Sequence, residues 1–218
     1  RAVNLKMRVM GSKYSLVSRN MDLGEVTLNI PGRHNVLNSL GAAAVAIEME
    51  IPFNTIKEAL AEFSGVKRRF EIAYKNEKKN IFVIDDYAHH PAEIFTVINS
   101  ARNMGDFRVV TVFQPHLYSR TLSLKDRFAE ILSKSDISVV TDIYPAREKP
   151  IEGVTGAILY EEIKKNLNEN AHYVEDKNNL PSYLKQFAQE NTIFLFIGAG
   201  DINKYSVMFS EELADDKE

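Results

Sequence analysis

The stretch RVVTVF, residues 108–113, is rich in β-branched side chains and shows no regular alternation of polar and apolar residues. Such a run is typical of a strand that is buried on both faces of a parallel sheet. Residues 192–197, TIFLFI, have the same character. These two runs, separated by segments with helical patterns, predict a Rossmann-like α/β domain with a mostly parallel sheet and helices on both faces.

Strands and helices alternate around these two runs. We predict strands at residues 70–75, 80–84, 108–113, 137–142, 172–174 and 192–197. We predict helices at residues 92–103, 122–133, 156–166, 180–189 and 201–213. The acidic tail, residues 211–218, has a composition typical of disorder.

The first part of the chain has a different pattern. Three short strands are predicted at residues 4–10, 14–18 and 25–30, with turns at 11–12 and 22–24. Helices are predicted at residues 36–49 and 53–63, and the small residues at 41–44 indicate close packing of the first helix against another element. Residues 65–69, Gly-Val-Lys-Arg-Arg, form a candidate linker before the α/β part.

The composition excludes several classes of protein. The 218 residues carry a net charge of −3, which argues against a nucleic-acid partner bound by bulk electrostatics. No apolar run approaches the ~20 residues of a membrane helix, and we expect neither a signal peptide nor a membrane partner. The absence of cysteine excludes disulfides and fits the cytoplasm. Because the chain begins with Arg1 and enters a strand at once, we interpret it as part of a longer protein.

Four polar clusters follow predicted strands, at residues 85–91, 114–121, 144–153 and 198–201. Ligands of open parallel sheets bind at the carboxyl ends of the strands, so these clusters predict one binding crevice. The last cluster, GAGD, resembles a dinucleotide-binding loop only weakly, because it lacks the third glycine of that motif.

Several residues of these clusters also suit roles outside such a crevice. Asp85 and Asp86 are candidate caps for the helix that follows them. His89, His90 and His116 are candidate ligands of a transition metal, provided that three such ligands converge.

Six motifs, in this order, cover nearly the whole chain. They are GRHNVLNSLGAAAVA (32–46), GVKRRFE (65–71), DDYAHHPAEI (85–94), QPHLYSRT (114–121), YPAREKPIEGV (144–154) and IGAGDI (197–202). Together they resemble the Mur ligase family of bacterial cell-wall synthesis, and the resemblance is greatest to the branch of the family that adds L-alanine.

The resemblance implies a three-domain enzyme with a UDP-binding domain, a central ATPase domain and a Rossmann-like last domain. Residues 1–68 would form the end of the central domain, and residues 69–218 would form the last domain. The chain contains no Gly-Lys-Ser or Gly-Lys-Thr sequence, which the family uses to bind phosphate. We therefore expect the parent protein to be an ATP-dependent ligase and this chain to be inactive by itself.

The implied reaction joins L-alanine to the lactyl carboxylate of UDP-N-acetylmuramate, and these two molecules are the expected substrates. ATP phosphorylates the carboxylate, the alanine amine attacks the acyl phosphate, and phosphate leaves. ATP and Mg²⁺ are the implied cofactors. The metal ligands are expected mostly outside this chain, so no residue is assigned to a metal.

By resemblance, five residues are expected to bind ATP. His34, Asn35 and Asn38 would line the adenine, and an asparagine amide suits this role because it offers both a donor and an acceptor. Arg69 is expected to reach the phosphates, which a guanidinium fork matches. Asp86 is expected to accept hydrogen bonds from the ribose hydroxyls.

By resemblance, four residues are expected to surround L-alanine. Tyr87, His89 and Arg120 would contact the amino acid, with Arg120 on its carboxylate. His89 is expected to orient the amine or take its proton, so His89 and Arg120 are the two catalytic candidates. His116 is expected to support them.

One position departs from the family, because many relatives carry arginine where this chain has Leu117. From this segment, alanine would then rely on Arg120 alone, with Arg147 as a candidate helper. A charged hydrogen bond contributes roughly 1.5–3 kcal/mol, so the departure predicts weaker alanine binding unless another group substitutes.

Two other functions stay open. One is a ligase that attaches a preformed tripeptide to the same sugar during cell-wall recycling. The other is a non-catalytic module that binds a nucleotide or a protein partner. Apolar surface near residues 1–50 is also expected to favour self-association.

Overall fold

The computed structural model describes residues 1–8, 11–166 and 168–215. The chain divides into two compact units. The first comprises Arg1–Val66 with Asn103–Gly105, and the second comprises Lys67–Arg102 with the described residues from Asp106 onward. Each unit has its own hydrophobic core.

The first unit is built on a three-stranded antiparallel sheet in the order β1-β2-β3. Its elements are β1 (Ala2–Arg8), β2 (Gly11–Ser18), β3 (Met21–Leu28), α1 (Arg33–Glu48) and α2 (Phe53–Glu62). The three predicted strands and both helices are confirmed. The end of the first predicted strand, residues 9–10, lies outside the described residues.

Both predicted turns of this unit are wrong. Gly11 and Ser12 begin β2, and residues 22–24 lie inside β3. Between β2 and β3 the chain turns at Arg19 and Asn20, whose φ angles are 46° and 64°. Two successive positive φ angles are the geometry of a type I′ hairpin turn, whose twist matches that of the flanking strands.

The small residues of α1 do not pack as predicted. Gly41, Ala42 and Ala44 are exposed, whereas Ala43 is buried in the core of the first unit. The Ala-rich sequence therefore supports the helix through its intrinsic propensity, and one side chain of the four contributes to the core of this unit.

The second unit contains a six-stranded sheet in the order β4-β5-β9-β6-β7-β8. Its strands are β4 (Glu71–Asn76), β5 (Ile81–Asp86), β6 (Arg108–Phe113), β7 (Ile137–Thr141), β8 (Ala171–Val174) and β9 (Thr192–Ile197). Strands β5 to β9 pair in parallel, and β4 joins one edge antiparallel to β5. The predicted mostly parallel, Rossmann-like sheet is confirmed.

Helices flank this sheet on both faces, as predicted. They are α3 (Pro91–Arg102), α4 (Tyr118–Ser123), α5 (Lys125–Leu132), α6 (Ala157–Asn166), α7 (Leu180–Leu184) and α8 (Ile202–Asp215). Helices α3, α5 and α6 form one layer, whereas α7 and α8 pack together on the other. Alternate side chains of the strands fill the core under α7 and α8, among them Val110, Val112, Val139, Phe194 and Phe196.

Two predicted helices differ from the structure. The helix predicted at residues 122–133 is replaced by two helices, α4, which begins earlier at Tyr118, and α5, because the backbone bends between them at Leu124, where φ is −114°. The helix predicted at residues 180–189 ends at Leu184 and continues as a 3-10 turn, Lys185–Phe187.

The predicted disorder of the acidic tail is wrong for residues 211–215, which belong to α8. Phe209 and Leu213 are buried in the core under this helix, and their packing holds its last turns in place. Residues 216–218 lie outside the described residues.

The position of β9 brings several loops together. This strand lies between β5 and β6, so Ile197 pairs with Asp86 on one side and with Phe113 on the other. Phe113 in turn lies beside Val140 of β7. The carboxyl ends of four parallel strands therefore stand almost level, and the loops that leave them are neighbours.

We expect Gly156→Ala to lower the free energy of unfolding by about 2–3 kcal/mol, because the added Cβ would collide with the backbone of Thr141 at the end of β7. Gly153→Ala is the matched control in the same loop. Its Cβ would meet no described atom within 4 Å, so only the positive φ of 75° opposes it, at about 1 kcal/mol. Urea unfolding followed by circular dichroism compares the variants, and equal losses would contradict a collision at Gly156.

Candidate functional site

Strand β5 ends at Asp86, whose carboxylate accepts hydrogen bonds from the backbone. Its Oδ2 accepts a hydrogen bond from the N–H of Phe70 at 2.8 Å, and its Oδ1 accepts one from the N–H of Ala88 at 2.8 Å. Asp86 is buried, and its two hydrogen bonds fix the backbone of the residues around it. Ribose binding by Asp86 stays a prediction.

Arg68 and Asp85 form a largely buried ion pair at the base of the loop that follows β5. Arg68 Nε lies 3.3 Å from Asp85 Oδ2, and Arg68 Nη2 donates to the carbonyl oxygen of Gly198 at 2.6 Å. The guanidinium carbon lies 4.9 Å from the centre of the Tyr87 ring. Arg68 therefore joins the loops after β5 and β9. The sequence placed Arg68 only in a candidate linker, so this role was missed.

Asp85 is a buried carboxyl group whose pKa lies above its ordinary value. Burial raises the pKa of Asp85 to about 6, and the charge of Arg68 limits the rise. Its Oδ1 is buried and has no hydrogen-bond partner among the residues that the structure describes. Such a group at the carboxyl edge of a parallel sheet is typical of a functional site.

Glu93 caps the start of α3. Glu93 Oε2 accepts hydrogen bonds from the N–H groups of His89 at 3.0 Å and His90 at 3.2 Å. Asp85 and Asp86, the candidate caps, make the contacts described above instead. Glu93 was missed, although an acidic residue at the third position of a helix is a capping signal.

His89 lies beside Tyr87 at this helix start. His89 Nδ1 is 3.1 Å from the carbonyl oxygen of Tyr87, and the two rings meet edge to face with centres 5.5 Å apart. A carbonyl oxygen can only accept, so this contact favours the tautomer with hydrogen on Nδ1 and leaves Nε2 as an acceptor. The His89 side chain is 27% exposed, which leaves it accessible to a ligand.

His116 brings the loop after β6 to the same place. Its ring centre lies 5.9 Å from that of His89, and its ring stacks on Tyr144 with centres 5.7 Å apart. Tyr144 follows β7, and its carbonyl oxygen accepts from the N–H of Leu117 at 3.0 Å. Three of the four predicted polar clusters therefore meet at His116.

The fourth cluster joins them through Gln114 and Asp201. Gln114 Nε2 donates to Asp201 Oδ1 at 2.7 Å, and Gln114 Oε1 accepts from the N–H of Ile202 at 3.2 Å. A Cβ at Gly200 would collide with Gln114 and Tyr144, so only glycine fits this close approach. The GAGD turn therefore packs against the QPH loop.

Arg120 and His116 each carry a buried nitrogen without a partner. Arg120 Nη1 and His116 Nδ1 have no hydrogen-bond partner in the part of the chain that the structure describes. Burial lowers the pKa of His116, and the nearby positive charge of Arg120 lowers it further, so this ring is neutral near pH 7. An unpaired buried donor costs about 1–3 kcal/mol, which an anionic ligand would offset.

Glu148 holds the short helix that carries Arg120. Its Oε2 accepts from the N–H of Ser119 at 3.0 Å, and its Oε1 accepts from the Ser119 hydroxyl at 2.5 Å. This residue was missed, whereas its neighbour Arg147, the candidate helper, is exposed. Leu117 immediately precedes α4 with a φ of 73° and brings no charge to the site.

The residues predicted to bind ATP are distributed over both units. His34, Asn35 and Asn38 lie in the first turns of α1, in the first unit, where Asn38 Nδ2 donates to Asn35 Oδ1 at 3.3 Å. Arg69 belongs to the second unit and is exposed, with its guanidinium carbon 5.8 Å from the centre of the Tyr87 ring. Arg69 therefore lies at the same edge as the residues predicted to bind alanine.

Neither a metal centre nor a membrane helix is present in the described ranges, 1–8, 11–166 and 168–215. No group of three His, Asp or Glu side chains there is arranged to hold a metal ion, so His89, His90 and His116 do not form such a site. No helix in these ranges has the length and apolar character needed to cross a bilayer.

Comparison with protein families supports the resemblance that the motifs indicated. Residues 68–200 match the family model described as "Mur ligase, glutamate ligase domain". Since this match covers more than half of the chain, the chain belongs to the Mur ligase family.

Individual relatives agree with this placement. The chain is 44% identical over 217 residues to the UDP-N-acetylmuramate–L-alanine ligase of Salinibacter ruber, covering 99% of this chain and 45% of that protein. It is 43% identical over 203 residues to the same ligase of Trichlorobacter lovleyi, covering 93% and 44%. The crystal structure of the UDP-N-acetylmuramate-alanine ligase of Thermotoga maritima matches with a TM-score of 0.84 at 33% identity, covering 99% and 46%. The chain therefore spans less than half the length of these relatives.

We expect Asp85→Asn to stabilise the chain relative to wild type as the pH rises from 4 to 7. The folded state of wild type binds the Asp85 proton with a pKa of about 6, against an ordinary pKa of 3.8, so its stability falls as the pH rises between these values. The variant does not titrate there and should gain about 2–3 kcal/mol over wild type above pH 6. Urea unfolding at several pH values measures this difference.

Asp126→Asn is the control for this titration, because the Asp126 side chain is 84% exposed. This variant should show no such pH-dependent gain over wild type. A constant difference between Asp85→Asn and wild type across the range would contradict the raised pKa of Asp85.

We expect Arg120→Met to raise the pKa of His116, because the variant removes a positive charge that disfavours the imidazolium. NMR titration of the histidine rings measures it, and Arg127→Met is the control because Arg127 is exposed on α5. Burial remains the larger cause, so the pKa of His116 should stay below that of a free histidine. An unchanged pKa would show that Arg120 does not act on this ring.

Proposed function

We propose that this chain is the amino-acid-binding part of an ATP-dependent ligase that joins L-alanine to UDP-N-acetylmuramate. The observation that carries the proposal is the pair of unpaired buried nitrogens among the described residues, Arg120 Nη1 and His116 Nδ1, with the His116 ring beside that of His89. The names of the Salinibacter and Trichlorobacter relatives favour L-alanine over a preformed peptide as the second substrate.

Arg120 is proposed to bind the carboxylate of L-alanine. A guanidinium donates two parallel hydrogen bonds to a carboxylate, and such charge-assisted bonds are about twice as strong as neutral ones. Glu148 keeps the helix of Arg120 in place through Ser119. Because Leu117 supplies no second guanidinium, this proposal assigns the carboxylate to Arg120, with a neutral His116 beside it.

His89 is proposed to act on the amine of L-alanine. The contact of its Nδ1 with the carbonyl oxygen of Tyr87 leaves Nε2 able to accept a proton. Attack on an activated carboxylate requires an uncharged amine, so an acceptor at this position would keep the nucleophile reactive. Tyr87 would form the adjacent wall, since its ring lies against His89.

ATP, when bound, would supply the phosphoryl group that activates the sugar carboxylate. The proposed ATP residues fit this ligand by their chemistry, since the exposed Arg69 suits phosphate and Asn38 suits a base edge. Asp86 is assigned to a ribose hydroxyl because a carboxylate accepts hydrogen bonds from hydroxyl groups, and His34 and Asn35 complete the assignment. Mg²⁺ is proposed for the whole enzyme, and no residue of this chain is assigned to it.

Other properties of the chain are also proposals. They are the division into residues 1–68 of a central ATPase domain and residues 69–218 of a last domain, the inactivity of residues 1–218 by themselves, self-association, and a location in the cytoplasm. The absence of a Gly-Lys-Ser or Gly-Lys-Thr sequence supports the proposed inactivity.

We expect Arg120→Met in the full-length protein to raise the KM for L-alanine by roughly 10- to 100-fold, because one charged hydrogen-bonding group is lost. The KM values for ATP and UDP-N-acetylmuramate should stay within about twofold, which is ~0.4 kcal/mol. Phosphate release measures all three constants, and Arg127→Met is the control. An unchanged KM for L-alanine would contradict the proposed role of Arg120.

A further inference from the structure

Lys177 makes a close ion pair at the edge of the site, in a segment that contributes none of the predicted site residues. It begins a short 3-10 turn, Lys177–Asn179, that follows β8. Its ammonium nitrogen lies 2.5 Å from Asp201 Oδ1, and the two side chains are only 23% and 29% exposed. This exposure is low for a lysine, which usually keeps its charge in water.

The Asp201 oxygen that binds Lys177 also binds Gln114. Oδ1 accepts from Gln114 Nε2 at 2.7 Å, and Gln114 itself is fully buried. Burial alone would raise the pKa of Asp201, but the hydrogen bonds from Lys177 and Gln114 outweigh burial and lower the pKa below its usual value. One carboxylate oxygen therefore ties together the ends of β6 and β9 and the turn after β8.

Lys177 also contacts the aromatic ring behind His116. Its ammonium nitrogen lies 5.9 Å from the centre of the Tyr144 ring and 5.7 Å from that of Tyr205. Tyr144 stacks on His116, and its N–H donates to the carbonyl oxygen of Pro115 at 2.8 Å. Lys177 therefore contacts Tyr144, which lies beside His116, and reaches Gln114, which precedes His116, through Asp201.

We propose that Lys177 is a positioning residue for the amino-acid site, acting through Asp201, Gln114 and Tyr144 on the orientation of His116. This inference rests on the proposed function where it concerns substrate, but its structural step can be tested in the present chain. An ion pair that only stabilised the fold would affect the unfolding temperature without moving the His116 ring or the affinity for one substrate.

The structural step is tested by NMR of the histidine rings in the chain of residues 1–218. Lys177→Met removes the charge and keeps the side-chain length, so it should displace the ring resonances of His116, and Lys177→Arg should restore them. Lys185→Met is the matched control, because Lys185 forms an ion pair of 3.3 Å with Glu212 between the 3-10 turn after α7 and helix α8. Unchanged His116 resonances in folded Lys177→Met would overturn the proposal.

The functional step is tested in the full-length protein. Lys177→Met should raise the KM for L-alanine about tenfold and leave the KM for ATP within about twofold, whereas Lys177→Arg and Lys185→Met should match wild type. If Lys177→Met does not fold, Asp201→Asn replaces it and should give the same pattern. Equal changes in both KM values would overturn the positioning role.

The two steps separate the failure of this inference from that of the proposed function. A full-length protein without alanine-dependent phosphate release would contradict the proposed function, and displaced His116 resonances in Lys177→Met would still support the positioning step. Normal alanine kinetics in Lys177→Met would overturn the inference and leave the proposed function intact.

Discussion

The insertion of β9 between β5 and β6 is the constraint on which the rest of the structure depends. Because Ile197 pairs with Asp86 and with Phe113, the loops that leave these three strands start at one level. A slip of one residue would turn the side chains of β9 to the opposite faces and move its loop out of line. Packing opposes such a slip, since Phe194 and Phe196 are fully buried and contact Phe209 of α8.

The level strand ends concentrate polar groups that would be unfavourable inside a core. Asp85 keeps one buried oxygen unpaired, and Arg120 and His116 each keep one buried nitrogen unpaired, among the described residues. Each such atom costs about 1–3 kcal/mol, so three of them at one edge reduce stability considerably. Proteins tolerate such groups mainly at functional sites, where a ligand completes the hydrogen bonds. Two further buried atoms without a partner in the described ranges, Ser12 Oγ and Thr192 Oγ1, are neutral hydroxyls elsewhere, so it is the three titratable groups that mark the edge indicated by the family resemblance.

The sequence predicted β6 and β9 to the residue, because strands buried on both faces have a uniform apolar composition that ends abruptly. Residues 22–24 misled the prediction because their turn-like composition belongs to a β-bulge, where the pairing of β3 shifts opposite Leu16 and Val17. The candidate site residues within the motifs could be proposed from the sequence, because each motif is one continuous stretch of the chain. Arg68 and Glu148 could not, because their partners lie 130 and 29 residues away along the chain.

A crystal structure of the full-length protein with bound L-alanine would test most directly whether the level strand ends form the amino-acid site. We predict that the alanine carboxylate lies about 3 Å from the guanidinium of Arg120 and that the amine faces Nε2 of His89. Alanine bound at another edge of the sheet, or Arg120 and His89 facing different cavities, would contradict this prediction.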